Sequence, residues 1–172
     1  QRIVCAVVLD VKDQRLRLLT EANREANLSA GRVLHAGKNG LDLSAGRDRL
    51  VEALHEKAAY RKALKEKVHV RELWEVLNAE QQFVDLETMT AFCFPGRPTD
   101  DHESAVLRAF FDDRRYFKFR QDGFFPYTEE QVEKMRAQAE EAERKNRLIE
   151  EGGAWLRRFV AGKTPEPPPD GV

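Results

Sequence analysis

Between residues 68 and 127 the apolar period changes from that of a helix to that of a strand. Residues 70–79 carry Leu73, Trp74 and Leu77 on one helical face. Residues 86–94 read as a second helix, opened by Asp85, a good N-cap residue, and ended by Pro95-Gly96. A third helix, 101–114, has Val106, Leu107, Phe110 and Phe111 as its buried stripe. Asp100 and Glu103 stand at capping-box spacing at its start. The period then falls to two: 116–120 is a strand, Gln121-Asp122-Gly123 a turn and 124–127 the return strand. Three helices followed by a hairpin read as a winged helix-turn-helix. That scaffold serves nucleic-acid readers and protein-contact modules alike, so it does not decide function.

The chain of 172 residues has a formal net charge of -1, so any preference for a polyanion lies in the charge distribution. Residues 1–67 carry 14 basic and 9 acidic side chains, and residues 68–113 carry 3 and 10. The strand-turn-strand segment, 114–127, carries 4 and 1, and 128–172 carries 8 and 10. A polyanion therefore favours the N-terminal part and the wing over the body of the helix-turn-helix.

Upstream, 3–9 is a continuous apolar run and reads as a buried strand. Lys12-Asp13-Gln14 is a turn, and 15–20 alternates as a half-exposed strand with Leu16 and Leu18 inward. Further strands are expected near 24–28 and at 32–35. Together these suggest a small SH3-like β-barrel over 1–43. A connecting helix follows within 44–67, capped by Asp42 or Ser44, with Lys57, Arg61, Lys62, Lys65 and Lys67 toward its C-terminal end. These cations either complement the helix dipole and solvate the surface or form a phosphate-facing patch. A long helix, 128–161, begins with a capping box of Thr128 and Gln131. Its apolar residues are sparse at first (Val132, Met135, Ala139, Ala142), and a kink is expected near Gly152-Gly153. Trp155, Leu156 and Phe159, with Val160, then form an apolar cluster that either packs back on the other elements or docks a further domain. Residues 162–172 read as a proline-rich linker, and the start at Gln1 suggests a piece of a longer protein.

Catalytic signals are sparse. The four histidines have no metal-ligand spacing with one another or with Cys5 and Cys93. There is no phosphate-cradling glycine loop and no serine in a nucleophile elbow. The carboxylates Asp100, Asp101, Glu103, Asp112 and Asp113 fall at opposite ends of one helix, roughly 16 Å apart at helical rise, too far for a shared two-metal site. Neither a catalytic nor a metal-ligating residue is assigned. The two cysteines are read as free thiols of a cytoplasmic protein. No apolar run approaches the roughly 20 residues that span a bilayer.

In a DNA-reading helix-turn-helix, the N-terminal end of the third helix meets bases and phosphates. Here it presents Asp100, Asp101 and Glu103, which repel phosphate. The wing is the better contact. Alternation places Tyr116, Lys118 and Arg120 outward with Phe117 and Phe119 in the core, so that Tyr116 can stack a base. On the N-terminal strands and loops, Arg15, Arg17, Arg24, Arg32 and Lys38 are the expected phosphate contacts.

Several segments in order resemble the N-terminal region of ribonuclease II (RNB) family exoribonucleases, in the bacterial and plastid branch that opens with a small barrel and a winged helix. They are residues 19–25 (LTEANRE), 31–35 (GRVLH), 70–77 (VRELWEVL), 105–119 (AVLRAFFDDRRYFKF) and 131–133 (QVE), and the similarity extends to about Arg158. The resemblance implies hydrolytic 3′-to-5′ degradation of single-stranded RNA by a separate catalytic domain that binds magnesium through an aspartate cluster. No stretch here matches that cluster. The chain is thus expected to be α+β and to guide single-stranded RNA toward the catalytic domain of the same protein. The rival expectation is a docking module that touches no RNA.

Overall fold

The computed structural model describes residues 3–120 and 123–162. The chain is mixed α+β and divides into two compact units between Pro126 and Tyr127.

The first unit opens with an antiparallel sheet of β1 (Ala6–Lys12), β2 (Arg15–Thr20) and β3 (Glu25–Ser29), in that order. Asp13 takes a left-handed φ of 56° in the first turn, a conformation that Asp tolerates better than most residues. A register shift between Val8 and Asp10 marks a bulge in β1. Leu18 is buried and Leu16 half-buried, as alternation predicts, but the deepest residue is Leu19, at 1% exposure. It lies on the other face and packs with Cys5, Leu50 and Leu54, supported by Val7, Leu9, Leu41, Val51 and Ala58.

The strand expected at 32–35 does not form. The ladder ends where Ala30 N–H donates to the Gln14 carbonyl, and a 3₁₀ turn over Ala30–Arg32 redirects the chain. The following loop is held instead by carboxylates of a distant helix, described below.

Helix α1 (Arg47–Lys65) buries Leu50, Leu54 and Leu64. Asp42 does not cap it. Its carboxylate accepts from Ser44 N–H (2.9 Å) and Ser44 Oγ–H (2.7 Å) in a preceding 3₁₀ turn, and Gly46, at φ 87°, leads into the helix.

Next come α2 (Val70–Leu77), β4 (Val84–Asp85), α3 (Leu86–Cys93), α4 (Asp100–Asp112), β5 (Phe117–Arg120) and β6 (Gly123–Pro126). The second sheet is antiparallel in the order β4-β6-β5, and its short strand β4 has no counterpart in the sequence reading. Asp85 caps α3 as expected, accepting from Thr88 N–H at 2.7 Å, and these hydrogen bonds hold its carboxyl below the usual range. The expected capping box of Asp100 and Glu103 is absent. Thr99 is the N-cap, and its N–H donates to Nδ1 of His102 at 3.1 Å.

Six residues of α4, from Ser104 to Phe110, are buried. Phe110 meets Phe124 with ring centroids 4.3 Å apart and Phe117 at 4.9 Å, so the hairpin closes over this helix. Each such phenylalanine gains about 1.5–3 kcal/mol from burial. Gly123 is required by close approach: a Cβ there would stand 2.3 Å from the Phe83 ring and 2.7 Å from the Val84 carbonyl oxygen. Gln121 and Asp122 of the expected turn lie outside the described residues.

In the second unit, α5 (Glu129–Val160) is a helix of 32 residues with none buried. Its capping box forms as expected, with Thr128 N–H donating to Gln131 Oε1 at 3.0 Å and Gln131 N–H to Thr128 Oγ1 at 3.3 Å. No break interrupts the helix at Gly152 and Gly153, and it runs on to Val160. Glycine keeps its N–H and costs only about 1 kcal/mol in a helix interior. Ion pairs at i,i+4 link Arg136 to Glu140, Glu141 to Lys145 and Glu143 to Arg147. Of the predicted linker, residues 163–172 lie outside the described residues.

Candidate nucleic-acid interface

The acidic end of α4 faces inward and is engaged by other parts of the first unit. Asp100 Oδ2 accepts from the backbone N–H groups of Lys38 (2.5 Å) and Asn39 (3.2 Å). Asp101 accepts from Arg61 Nε at 2.7 Å and pairs with Lys57 Nζ at 3.4 Å. Glu103 Oε2 lies 2.8 Å from His35 Nε2. Burial pushes the Asp101 carboxyl up, but the hydrogen bond and charge of Arg61, with Lys57, outweigh it and hold the group below its ordinary value. At the other end of α4, Asp112 pairs with Lys65 (2.7 Å), and Asp113 accepts a two-pronged bond from Arg115 at 2.9 and 3.0 Å. Of the two, only Asp113 pairs with an arginine of the following turn. These contacts also engage Lys57, Arg61 and Lys65 of α1 in holding the fold together. Each carboxylate has a donor or cation already, an arrangement that does not fit a magnesium site. Among the described residues no group of three or more His, Cys, Asp or Glu side chains is placed to hold a metal ion.

The outer face of the hairpin is arranged oppositely. Lys118 and Arg120 are exposed on β5, an edge strand, and alternate with buried Phe117 and half-buried Phe119. Neither makes a side-chain ion pair or hydrogen bond among the described residues. Lys118 stands opposite Phe125 of β6, so the Phe125 ring, 38% exposed, shares its face. Arg120 stands opposite Gly123, where the exposed Phe83 ring fills the space a side chain would take. The result is a basic face with the exposed rings of Phe125 and Phe83 beside it. The sequence reading missed Phe125, although the register of a short hairpin assigns it to that face.

Tyr116 does not stand outward with Lys118 and Arg120 as alternation predicts. It precedes β5, is half-buried, and its ring lies 5.4 Å from Trp74 and 5.7 Å from the Arg115 guanidinium carbon. The helical core holds Tyr116, whereas Phe125 stands on the open face.

The expected cations of the first sheet are all exposed but do not form one cluster. Arg15 and Arg17 share a face of β2, with Lys12 opposite Arg15 and Asp10 opposite Arg17. Arg32 ends the 3₁₀ turn after β3, close in chain to Ser29, which pairs with Arg15. Arg24 lies in the turn beyond the far end of β2, about 20 Å away at 3.3 Å per residue. Lys38 sits in the loop tied to Asp100, with its side chain exposed.

Two grooves complete the first unit. One, of about 620 Å³, is lined by α1 and α4 residues including Lys62, Lys65, Arg108 and Asp112, with Arg108 donating to the Ile3 carbonyl at 3.2 Å. The other, of about 340 Å³, is apolar and lies between α2 and α3, lined by Leu73, Val76, Leu77, Phe92 and Cys93. In the second unit, Leu156 and Phe159 are 54% and 59% exposed, and Trp155 stacks on Phe159 at 5.1 Å. Both cysteines are free thiols; burial raises Cys5 above its ordinary value despite nearby Arg61, and pushes Cys93 up to about 11. Neither suits a nucleophile. Among the described residues no helix is long and apolar enough to cross a membrane.

No family model, curated protein or solved structure matches this chain.

Proposed function

We propose that this chain is a single-stranded-RNA-guiding module of a cytoplasmic ribonuclease II-like 3′-to-5′ exoribonuclease, delivering substrate to that protein's catalytic domain. In this reading residues 68–126 are a winged helix with β5 and β6 as the wing, and the N-terminal sheet is a pared-down SH3-like unit. Magnesium chemistry belongs to the catalytic domain.

The observation that carries the reading is the wing face. Lys118 and Arg120 flank an exposed aromatic ring and make no ion pair among the described residues, while the acids of α4 are engaged internally. Unpaired cations beside an aromatic platform suit a strand with charged phosphates and stackable bases. They confer little sequence selectivity, as a guide for varied RNA requires. Lys12, Arg15 and Arg17 offer a second basic surface on the first sheet.

A second reading has its own support. The apolar α2–α3 groove, with Val76 and Phe92 75% and 56% exposed, suits docking against another domain. Fluorescence anisotropy of a labelled single-stranded RNA separates the two. RNA guiding predicts binding that weakens with salt and falls in Lys118→Ala/Arg120→Ala. A folded chain that binds no RNA at low salt leaves docking as the function.

A further inference from the structure

One stripe of α5, mostly apolar and interrupted by Asn146, follows a 3-4 spacing over nearly its full length. Val132, Met135, Ala139, Ala142, Asn146, Ile149, Gly153, Leu156 and Val160 alternate steps of three and four. That is the seam of a heptad repeat, with 132, 139, 146, 153 and 160 at the a positions and 135, 142, 149 and 156 at the d positions. Leu148 and Trp155 fall at c, on the side away from the seam, and Trp155 stacks on Phe159 of its own helix. A seam is apolar because a partner covers it. Yet Ile149, Leu156 and Val160 are 72%, 54% and 80% exposed.

We propose that α5 pairs with α5 of a second copy of this chain as a parallel, in-register, two-stranded coiled coil. Two features of the sequence select this occupant. Asn146 is at an a position, where in-register pairing sets it against Asn146 of the second copy. A buried asparagine there favours two parallel strands and fixes their register. The flanking charges agree: from each g residue to the e residue five further on in the second copy, the pairs are Gln131–Arg136, Gln138–Glu143, Lys145–Glu150 and Gly152–Arg157, with no like-charge pair. The most overlapped antiparallel alignment instead sets each Asn146 against Ala142 of the second copy, which leaves the buried amide without a partner. The small residues Ala139, Ala142 and Gly153 admit close approach but bury little area, so Ile149, Leu156 and Val160 contribute most of the attraction.

Sedimentation of the whole chain from about 1 to 100 μM tests the association. The expected result is a concentration-dependent monomer–dimer equilibrium, weakened at least tenfold by Ile149→Glu/Leu156→Glu. The stability of the first unit serves as a folding control. Orientation is read by disulfide trapping in a Cys93→Ser background. Ala139→Cys, at an a position, should link copies at least tenfold faster than Ala137→Cys, at the outward f position. A chain that stays monomeric throughout that range overturns the proposal. So does association that survives the double glutamate change, or equal trapping at 137 and 139.

Discussion

At the N-terminal end of α4, Asp100, Asp101 and Glu103 meet donors from a loop and from α1, whereas Lys118 and Arg120 on β5 meet none among the described residues. The two sites lie in one unit. Partly buried charges must be paired, because an unpaired ion loses its hydration without compensation. Exposed charges on an edge strand keep their hydration and are available to a ligand. Changes at the α4 end should therefore act on stability, and changes on the wing on binding.

The largest expected effect is at Asp101, whose side chain is 18% exposed and whose partner Arg61 is 15% exposed. Asp101→Ala strands Arg61 and Lys57 and should cost about 2–3 kcal/mol, between the surface and fully buried limits for ion pairs. Thermal or urea unfolding reads this, and RNA affinity measured on the folded fraction should not change. A loss of affinity without a loss of stability would break the comparison.

Gly123→Ala comes next. The added Cβ meets the Phe83 ring and the Val84 carbonyl, so β4 must move from β6 at a cost of about 1–3 kcal/mol. Because the same strand carries Phe125, RNA binding should weaken along with stability. This change alone is expected to affect both readouts.

Phe125→Ala should sharpen the contrast. It removes a ring that is 38% exposed, so stability should shift by no more than about 0.5 kcal/mol. RNA affinity should fall by about 1–2 kcal/mol if the ring stacks a base. Tyr116→Ala should show the reverse pattern, since its ring lies against Trp74.

The smallest effect is a pH dependence. The Asp101 carboxyl titrates below its ordinary value in the folded chain, because Arg61 and Lys57 outweigh the opposing effect of burial. Its stabilisation is fully present above the unfolded value near 3.9 and is lost as pH falls through the lower folded value. Denaturation below about pH 4 should therefore be less steep in Asp101→Asn than in the wild type.

Much of this contrast was legible in the sequence, and the rest depended on contacts distant in the chain. The change of period at 116 located the hairpin, and alternation placed Lys118 and Arg120 outward with Phe117 inward. Asp85 and Thr128 were legible as caps because capping is local. The acids of α4 were misassigned for the opposite reason. Their partners, Lys38, Lys57 and Arg61, are forty to sixty positions away, and local spacing suggested a capping box that Thr99 and His102 occupy. The strand expected at 32–35 failed for the same cause, because the loop that follows is tied to Asp100 and Glu103. Tyr116 was misread by one residue: it precedes the strand, so alternation did not apply to it.

The most direct test of the central claim is the salt dependence of single-stranded RNA binding by the wild type, Lys118→Ala/Arg120→Ala and Asp101→Ala. If the wing cations neutralise phosphates, the log–log slope should flatten by about 1.4 in the double variant, about 0.7 for each lost contact. It should be unchanged in Asp101→Ala. A slope unaltered by the wing substitutions, in a chain that still binds RNA, would contradict the assignment of the wing as the RNA guide.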